Sequence, residues 1–236
     1  MMSEFLLTFF DTPLFGVTIT IGAFVLFQNL FKNAKNPLLN PLIFSMITII
    51  AFLKLTGIPY ESYEKGGDII SFFLGPVTVS LAVPLYKQVD KLKENAGAII
   101  VGIASGVIVA IISTLGLGKL FGLSDEMIAS LAPKATTTAI AIDLSSTFGG
   151  DPALTIAFVT VAGAVGFMVG EQILKLLNIK NKTAKGIALG TASHAFGTNR
   201  ALLMGEEEGA MSSLAIGVAG VITTFLLPVI IKLFGY

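Results

Sequence analysis

The sequence predicts an all-α, polytopic membrane protein. Mean hydropathy is +0.86, and 54% of the 236 residues are hydrophobic whereas 13% are charged. A soluble domain carries about a quarter charged residues, so this chain has too little charge to cover a water-facing surface. The charges are also clustered, and the uncharged runs between them reach the roughly 18 residues that indicate a membrane helix.

Composition also argues against several classes of function. Net charge is zero, which gives no reason to expect a nucleic-acid partner. Cysteine is absent, which excludes disulfides, thiol catalysis and iron–sulfur ligation, and a single histidine argues against a structural zinc site. No Ser/His/Asp order or nucleotide-binding loop stands out, so we expect no enzymatic activity, metal or cofactor. Residues 1–13 contain acids but no Lys or Arg, so we expect this end to be retained rather than cleaved as a signal peptide.

Eight hydrophobic segments alternate with short loops that hold most of the Lys and Glu residues. The third, fifth and seventh contain internal Pro or Gly, at Gly75-Pro76, Pro133 and Gly190. A broken helix in hydrocarbon leaves backbone groups unpaired, which costs several kcal/mol each unless the break is packed inside protein or lines a cavity. We therefore expect these three breaks to converge in the interior, and segments one, two, four and eight to contact lipid. The segments cover residues 13–31, 38–56, 68–86, 96–118, 126–147, 152–177, 184–204 and 209–234.

An internal repeat is indicated by one offset of 115 residues. It pairs Gly75 with Gly190, Thr78 with Ser193, and Asn36-Pro37 with Asp151-Pro152. The same offset aligns helix starts, broken segments and closing helices. We therefore predict a single membrane domain made of two repeats, about 13–120 and about 126–236.

Loop charges predict that the two repeats are inverted. Basic loops follow segments one and three in the first half, but segment six in the second, and the loop after segment seven is acidic. Short Lys/Arg-rich loops tend to stay cytoplasmic, so the bias switches loops between the halves. Inversion requires an odd number of crossings per half, so one segment of each four would be re-entrant. Segment five, broken at Pro133, is the candidate for the re-entrant segment, and segment one is its counterpart in the first repeat. Segment one looks smooth enough to span the membrane, so the number of full crossings stays open.

A polar island around Lys134 is the first candidate site. Lys134 is followed by Thr136, Thr137 and Thr138, between apolar flanks. A charge at membrane depth is a functional-site hypothesis by default, and the ammonium, the hydroxyls and the N–H groups of a half-helix could together bind a carboxylate. The alternative is a lysine that snorkels to the interface beside threonines that satisfy their own helix carbonyls.

Segment seven provides a second polar cluster around His194, the only histidine. A continuous helix would put Thr191, His194 and Thr198 on one face. Arg200 has the planar fork that suits a carboxylate, and His194 could donate a hydrogen bond or carry a proton. The alternative is a histidine bonded to a neighbouring helix and an arginine at the membrane rim. The candidate residues are Thr191, Ser193, His194, Thr198, Asn199 and Arg200.

Segment three offers a third candidate at Gly75, Pro76 and Thr78. A break there could present backbone groups and a hydroxyl to a ligand. A packing kink explains the same residues equally well.

Three stretches of this chain resemble the signature of the LrgB/CidB family. They run from Phe73 to Tyr86, from Ala132 to Ala141 and from Gly190 to Thr198, in the family's order. Members of that family are bacterial inner-membrane proteins, described as antiholin-like or as regulators of murein hydrolase export. They usually act with a small LrgA/CidA-type membrane partner. Relatives in plant plastids are fused to such a domain and exchange glycolate and glycerate, and some bacterial pairs are linked to pyruvate uptake.

The predicted inverted halves and interior breaks favour a carrier that works by alternating access, because such transporters build their site where broken helices meet. The resemblance implies that the protein is a multi-pass inner-membrane protein and that the substrate is a small monocarboxylate. The alternative is an antiholin-like regulator of murein hydrolase export and cell lysis that acts with a small holin-like partner. A compact site with Lys, Thr, His and Arg favours the carrier, because a passive pore does not need one. The expected partners are a small organic anion and the bilayer, while a separate LrgA/CidA-type protein and a homo-oligomer are left open.

Overall fold

The computed structural model describes residues 10–32, 39–73, 76, 79, 86 and 89–236, and their regular structure is helical. This confirms the predicted all-α class. Four helices in the described ranges contain a stretch long and apolar enough to cross a membrane: α1, α4 from Lys93, α7 and α9. The number of crossings and the inverted repeat stay predictions. The described helices are α1 Pro13–Phe31, α2 Pro41–Thr56, α3 Tyr60–Phe72, α4 Val89–Leu120, α5 Asp125–Leu131, α6 Thr138–Thr147, α7 Pro152–Leu176, α8 Lys182–Met204 and α9 Glu206–Leu233.

Polar caps fix where several helices begin. The side chains of Asn40, Ser124, Asp151 and Asn181 each accept an N–H from the first turn of the helix that follows. Such caps satisfy donors that have no partner within the helix. Proline stands at the start of α1, α2 and α7, where its missing N–H costs nothing.

The chain forms two compact units, residues 1–80 and residues 81–236. In unit one, α1 packs against α2 and α3. A methyl group added to Gly16 would lie 2.8 Å from the Cα of Gly66, so the backbones of α1 and α3 touch, as small residues permit between membrane helices. Beside this crossing the hydroxyls of Thr20 and Tyr63 lie 3.0 Å apart in a hydrogen bond.

The core of unit two lies between α4 and α9. A stripe on α4, spaced four residues apart from Ile99 to Leu115, is buried against Met211, Ala215, Ala219 and Leu227 of α9. That spacing keeps the side chains on one helix face. Helix α9, which the sequence predicted to contact lipid, therefore has one face buried in protein.

Helix α8 is a hairpin rather than one straight helix. Ser193 (φ −140°, ψ 16°) and His194 (φ 40°, ψ −128°) leave helical geometry. A methyl group on Gly197 would lie 2.7 Å from the carbonyl carbon of Leu189, whereas residues eight apart in a continuous helix are about 12 Å apart. The legs 182–192 and 195–204 therefore run antiparallel, and both pack on α9. Segment seven is broken, as predicted, but at Ser193–His194 rather than at Gly190, which lies in the first leg. The helical face predicted for Thr191, His194 and Thr198 is therefore interrupted.

The chain also doubles back between α5 and α6. Helix α5 ends at Leu131 and α6 begins at Thr138, which confirms the predicted break at Pro133. The N–H of Asp151 donates to the Ser130 hydroxyl at 2.8 Å, and the N–H of Gly150 donates to the Ser145 carbonyl at 2.8 Å. Helix α6 thus returns the chain to the level of α5. The third predicted break, at Gly75, lies outside the described residues.

The two hairpins start from opposite ends of unit two. The first follows the end of α4 at Leu120, and the second follows the end of α7 at Leu176. Between them α7 runs 25 residues, about 37 Å. We call the end with the start of α4 and the end of α7 the basic end, because the chain from Lys175 to Lys185 there carries four lysines. The α8 hairpin returns the acidic start of α9 to the same end, where Thr183 donates to Glu207, so the acidic loop does not lie opposite the basic one as the sequence suggested.

Candidate anion-binding site

The ammonium of Lys134 lies on the break between α5 and α6. It donates a hydrogen bond to the hydroxyl of Thr114 on α4. Thr114 is itself buried, and its hydroxyl donates to the Ala110 carbonyl at 2.6 Å. In the described part of the chain, no carboxylate pairs with Lys134. A half-buried cation with a hydroxyl as its partner has capacity left to bind an anion.

Lys134 opens onto a cavity of about 810 Å³ between α4 and the first leg of α8. We call it the polar cavity after the hydroxyl and amide side chains along it, although most of its lining surface is apolar. Among its described lining residues, Lys134 alone carries a charge. Gly102, Gly106, Ala110, Ala184 and Ala188 leave the space open because their side chains are small. Six residues with hydroxyl or amide side chains line it: Asn95, Ser105, Ser113, Asn181, Thr183 and Thr191.

Thr191 is the predicted segment-seven residue that lines the polar cavity. It is 5% exposed, and its hydroxyl has no hydrogen-bond partner among the described residues. A methyl group on Gly106 would lie 3.0 Å from its Cγ2, so Thr191 stands directly opposite α4. A buried hydroxyl without a partner costs about 1–3 kcal/mol, so the unpaired Oγ1 of Thr191 is a destabilising feature beside the cavity.

The three threonines after Lys134 are not among the described residues that line the cavity. The buried hydroxyl of Thr136 faces α9, 3.6 Å from a methyl group placed on Gly220, and has no partner in the described structure. Thr137 precedes α6 without capping it, and Thr138 is exposed. The turn therefore directs Lys134 and Thr136 to different neighbours.

His194 docks the tip of the α8 hairpin onto α7. Its Nε2 lies 3.1 Å from the Val159 carbonyl oxygen, which can only accept, so Nε2 donates. The ring is 4% exposed and meets Phe196 edge-on. Gly163 leaves room for it, since a methyl group there would lie 2.7 Å from His194 Cε1. The structure therefore shows the alternative arrangement considered for His194, a histidine bonded to a neighbouring helix. His194 does not line the polar cavity.

Arg200 is neutralised inside the protein. Its guanidinium donates to Glu171 on α7, and Lys175 lies 2.6 Å from the other oxygen of the same carboxylate. The guanidinium also lies over the Phe167 ring at 5.7 Å. Sequence reasoning missed Glu171, although an acid alone in the apolar sequence of α7 is a signal in itself.

The other predicted site residues are dispersed. Ser193 is buried in the notch left by Gly166, the Thr198 hydroxyl is hydrogen-bonded to the Ser212 hydroxyl at 2.8 Å, and Asn199 is exposed. Pro76 is exposed, while Gly75 and Thr78 lie outside the described residues. Conversely, Thr114, which bonds Lys134, and Ser113, Asn95 and Asn181, which line the polar cavity, belong to the candidate site but were not predicted. Thr114 and Ser113 stand in a segment without a visible break.

Comparison with known proteins gives a consistent match along nearly the whole chain. Residues 20–233 match the LrgB-like family. The chain is 40% identical over 225 residues to the antiholin-like protein LrgB of Bacillus cereus (strain B4264) and to that of Bacillus anthracis (strain A0248). Each alignment covers 95% of this chain and 98% of the relative. No solved structure matches.

Proposed function

The chain belongs to the LrgB-like family, and we propose that this protein is a carrier that moves a small monocarboxylate across the cell's inner membrane. The observation that supports this most directly is Lys134, an ammonium without a carboxylate partner in the described structure, at the inner end of a polar cavity. A carrier needs such a group because a carboxylate loses hydration when it enters a membrane protein, and an unpaired buried charge is very costly.

The ammonium of Lys134 pairs with the carboxylate in this proposal. The hydroxyl of Thr114, which already bonds Lys134, and that of Ser113, which lines the cavity, are neutral groups that could complete its hydrogen bonding. Each charge-assisted hydrogen bond contributes about 1.5–3 kcal/mol, or roughly ten-fold or more in affinity. One ammonium balances one carboxylate, which favours a monocarboxylate over a dicarboxylate.

The two hairpins support alternating access. They start from opposite ends of unit two. Lys134 on the first hairpin and Ala188 and Ala192 on the second line the same two cavities. Many transporters bind their substrate where broken helices of opposite direction meet near the midplane. Relative movement of the hairpins would then expose Lys134 to each side in turn.

The polar cavity is expected to open towards the cytoplasm. Asn95, Asn181 and Thr183 line it at the basic end of unit two, and Lys175, Lys180, Lys182 and Lys185 flank that end. Short basic loops tend to stay cytoplasmic. The described conformation would therefore be the inward-facing one.

Pyruvate, glycolate and glycerate are the candidate substrates that the family resemblance supplies. All three are small monocarboxylates that carry at least one keto or hydroxyl oxygen besides the carboxylate. That oxygen could bind the hydroxyls or amides of the cavity. The test is uptake of each labelled acid into proteoliposomes, with and without a small LrgA/CidA-type partner. Saturable uptake of at least one acid supports the carrier.

The second candidate function rests on the names of the relatives, which are called antiholin-like. In this reading the protein regulates murein hydrolase export and lysis together with a small holin-like partner. The same proteoliposomes separate the two functions. Release of all small solutes only when the partner is present, without saturation, would favour the regulator and contradict the carrier.

A further inference from the structure

We infer that the Lys134 site also binds carboxylates that carry a straight alkyl chain, with the chain in a second, apolar cavity beside the polar one. This rests on the proposed function in one respect, the use of Lys134 as the carboxylate anchor. It adds a ligand class, the aliphatic monocarboxylates, and a place for their hydrocarbon.

The second cavity, of about 500 Å³, lies between the end of α5, helix α7 and the first leg of α8. We call it the apolar groove. Among the described residues that line it, Lys134 is the only charged one. Its hydrocarbon wall is the α7 stripe Phe158, Val161, Ala162, Val165, Val169 and Ile173, which extends about 22 Å along the helix.

The two cavities meet at Lys134. They share Lys134, Ala188 and Ala192 among their described lining residues. The methyl groups of Ala188 and Ala192 are a thin partition, so a carboxylate on Lys134 can direct its substituent into either space. A substituent with hydroxyls suits the polar cavity, and an unsubstituted chain suits the apolar groove.

Charge and shape together select the occupant. The groove has a volume of about 500 Å³ and one cationic group among its described lining residues, which suits one alkyl chain with one anionic head. Val161 is 60% and Val165 46% exposed, so the groove is open along one side and a flexible chain can enter laterally. The ammonium of Lys134 favours a negative head over a neutral or positive one of the same length.

The energetics predict a dependence on chain length. Burial of one methylene contributes roughly four-fold in affinity. Octanoate should therefore bind about 15-fold more tightly than hexanoate, which has two methylenes fewer. Octylammonium should show only the weak, unsaturable partitioning of an amphiphile into the bilayer.

The test exploits the absence of tryptophan from the chain. Phe158→Trp places a single fluorophore in the groove, and Phe225→Trp places one on an exposed position of α9 outside it. In proteoliposomes, 8-bromooctanoate should quench Phe158→Trp saturably, octanoate should reverse the quenching, and octylammonium should not. Phe225→Trp should show only a linear, unsaturable loss of fluorescence.

Two further variants test the anchor and the groove in the Phe158→Trp background. Lys134→Met should remove saturable quenching. Ala162→Phe should weaken it at least ten-fold by filling the groove, whereas Ile156→Phe, outside the groove on the same helix, should not. If Lys134→Met does not fold, the Ala162→Phe and Ile156→Phe pair decides the question.

The outcomes separate this inference from the carrier proposal. Saturable quenching without any monocarboxylate uptake keeps the groove and rejects the carrier. Uptake of pyruvate, glycolate or glycerate with unsaturable quenching at Phe158→Trp rejects the groove alone. Quenching by a brominated phospholipid that octanoate cannot displace would show that a phospholipid occupies the groove and would also overturn the inference.

Discussion

Gly197 lies against the carbonyl group of Leu189, eight residues earlier in the same helix. Only a chain that has reversed direction can bring these residues together, since a continuous helix would separate them by about 12 Å. The contact identifies α8 as a hairpin and places its tip, Ser193–His194, inside unit two. The hairpin in turn brings Thr191 and Ala192 towards Lys134.

The first prediction follows from the missing side chain at Gly197. A methyl group there would collide with backbone atoms of Leu189, which cannot move aside as a side chain can. Gly197→Ala should therefore lower the free energy of unfolding by about 1–3 kcal/mol. Gly217→Ala is the control, because a methyl group on Gly217 meets nothing within 4 Å. Equal thermal unfolding of the two variants in detergent would contradict the hairpin.

The second prediction concerns the backbone of His194. Its φ of 40° lies in the region that favours glycine. His194→Ala loses the hydrogen bond to Val159 and keeps the strain, whereas His194→Gly loses the bond and relieves the strain. Strain of this kind costs about 1–3 kcal/mol, partly offset by the flexibility of glycine in the unfolded chain, so His194→Gly should be more stable than His194→Ala by about 1 kcal/mol. A more stable alanine variant in thermal denaturation would refute this explanation of the turn.

The sequence predicted the membrane class because long apolar runs are a local property. It selected Lys134 as a candidate for the same kind of reason, a charge between apolar neighbours, and the role of Lys134 stays a prediction. It could not predict the partner of Arg200, because Glu171 is 29 residues away on another helix. Nor did it place the α8 turn, which falls at a serine and a histidine rather than at a neighbouring glycine. Thr114 was missed because nothing in its apolar segment marks it, and only the fold brings Lys134 to it.

The third prediction tests the Arg200–Glu171 pair. The side chains are 21% and 17% exposed. Loss of Glu171 leaves the Arg200 charge poorly solvated, whereas loss of Arg200 leaves Glu171 with the exposed Lys175 as its remaining partner. Arg200→Gln and Glu171→Gln should each destabilise the protein, by about 1–3 kcal/mol. The double variant should be more stable than the sum of the single changes predicts. Additive effects in a double-mutant cycle would show that the pair contributes nothing specific.

The fourth prediction concerns the sidedness of the α8 hairpin. If α8 is re-entrant, Lys182 and Glu206 flank it on one side of the membrane. Each can be replaced singly by cysteine, since the native chain has none. Lys182→Cys and Glu206→Cys should react with an impermeant maleimide from the same, cytoplasmic side, as should Lys93→Cys, while Asp125→Cys should react from the other side. Labelling of Lys182→Cys and Glu206→Cys from opposite sides would mean that α8 crosses the membrane.

The fifth prediction concerns anion binding at Lys134. Lys134→Met keeps the length and removes the charge, so a transported carboxylate loses its only charged partner among the described lining residues of the polar cavity. Loss of a charge-assisted hydrogen bond should lower transport at subsaturating substrate roughly ten-fold or more. Lys182→Met is the matched control, because Lys182 stands at the exposed start of α8 outside the cavity.

The most direct measurement is the initial rate of labelled pyruvate, glycolate and glycerate uptake into proteoliposomes that contain equal amounts of wild-type, Lys134→Met or Lys182→Met protein. The account predicts saturable uptake of at least one acid by the wild type and the Lys182→Met variant, and at least a ten-fold lower rate for folded Lys134→Met. Uptake by folded Lys134→Met at the wild-type rate would contradict it.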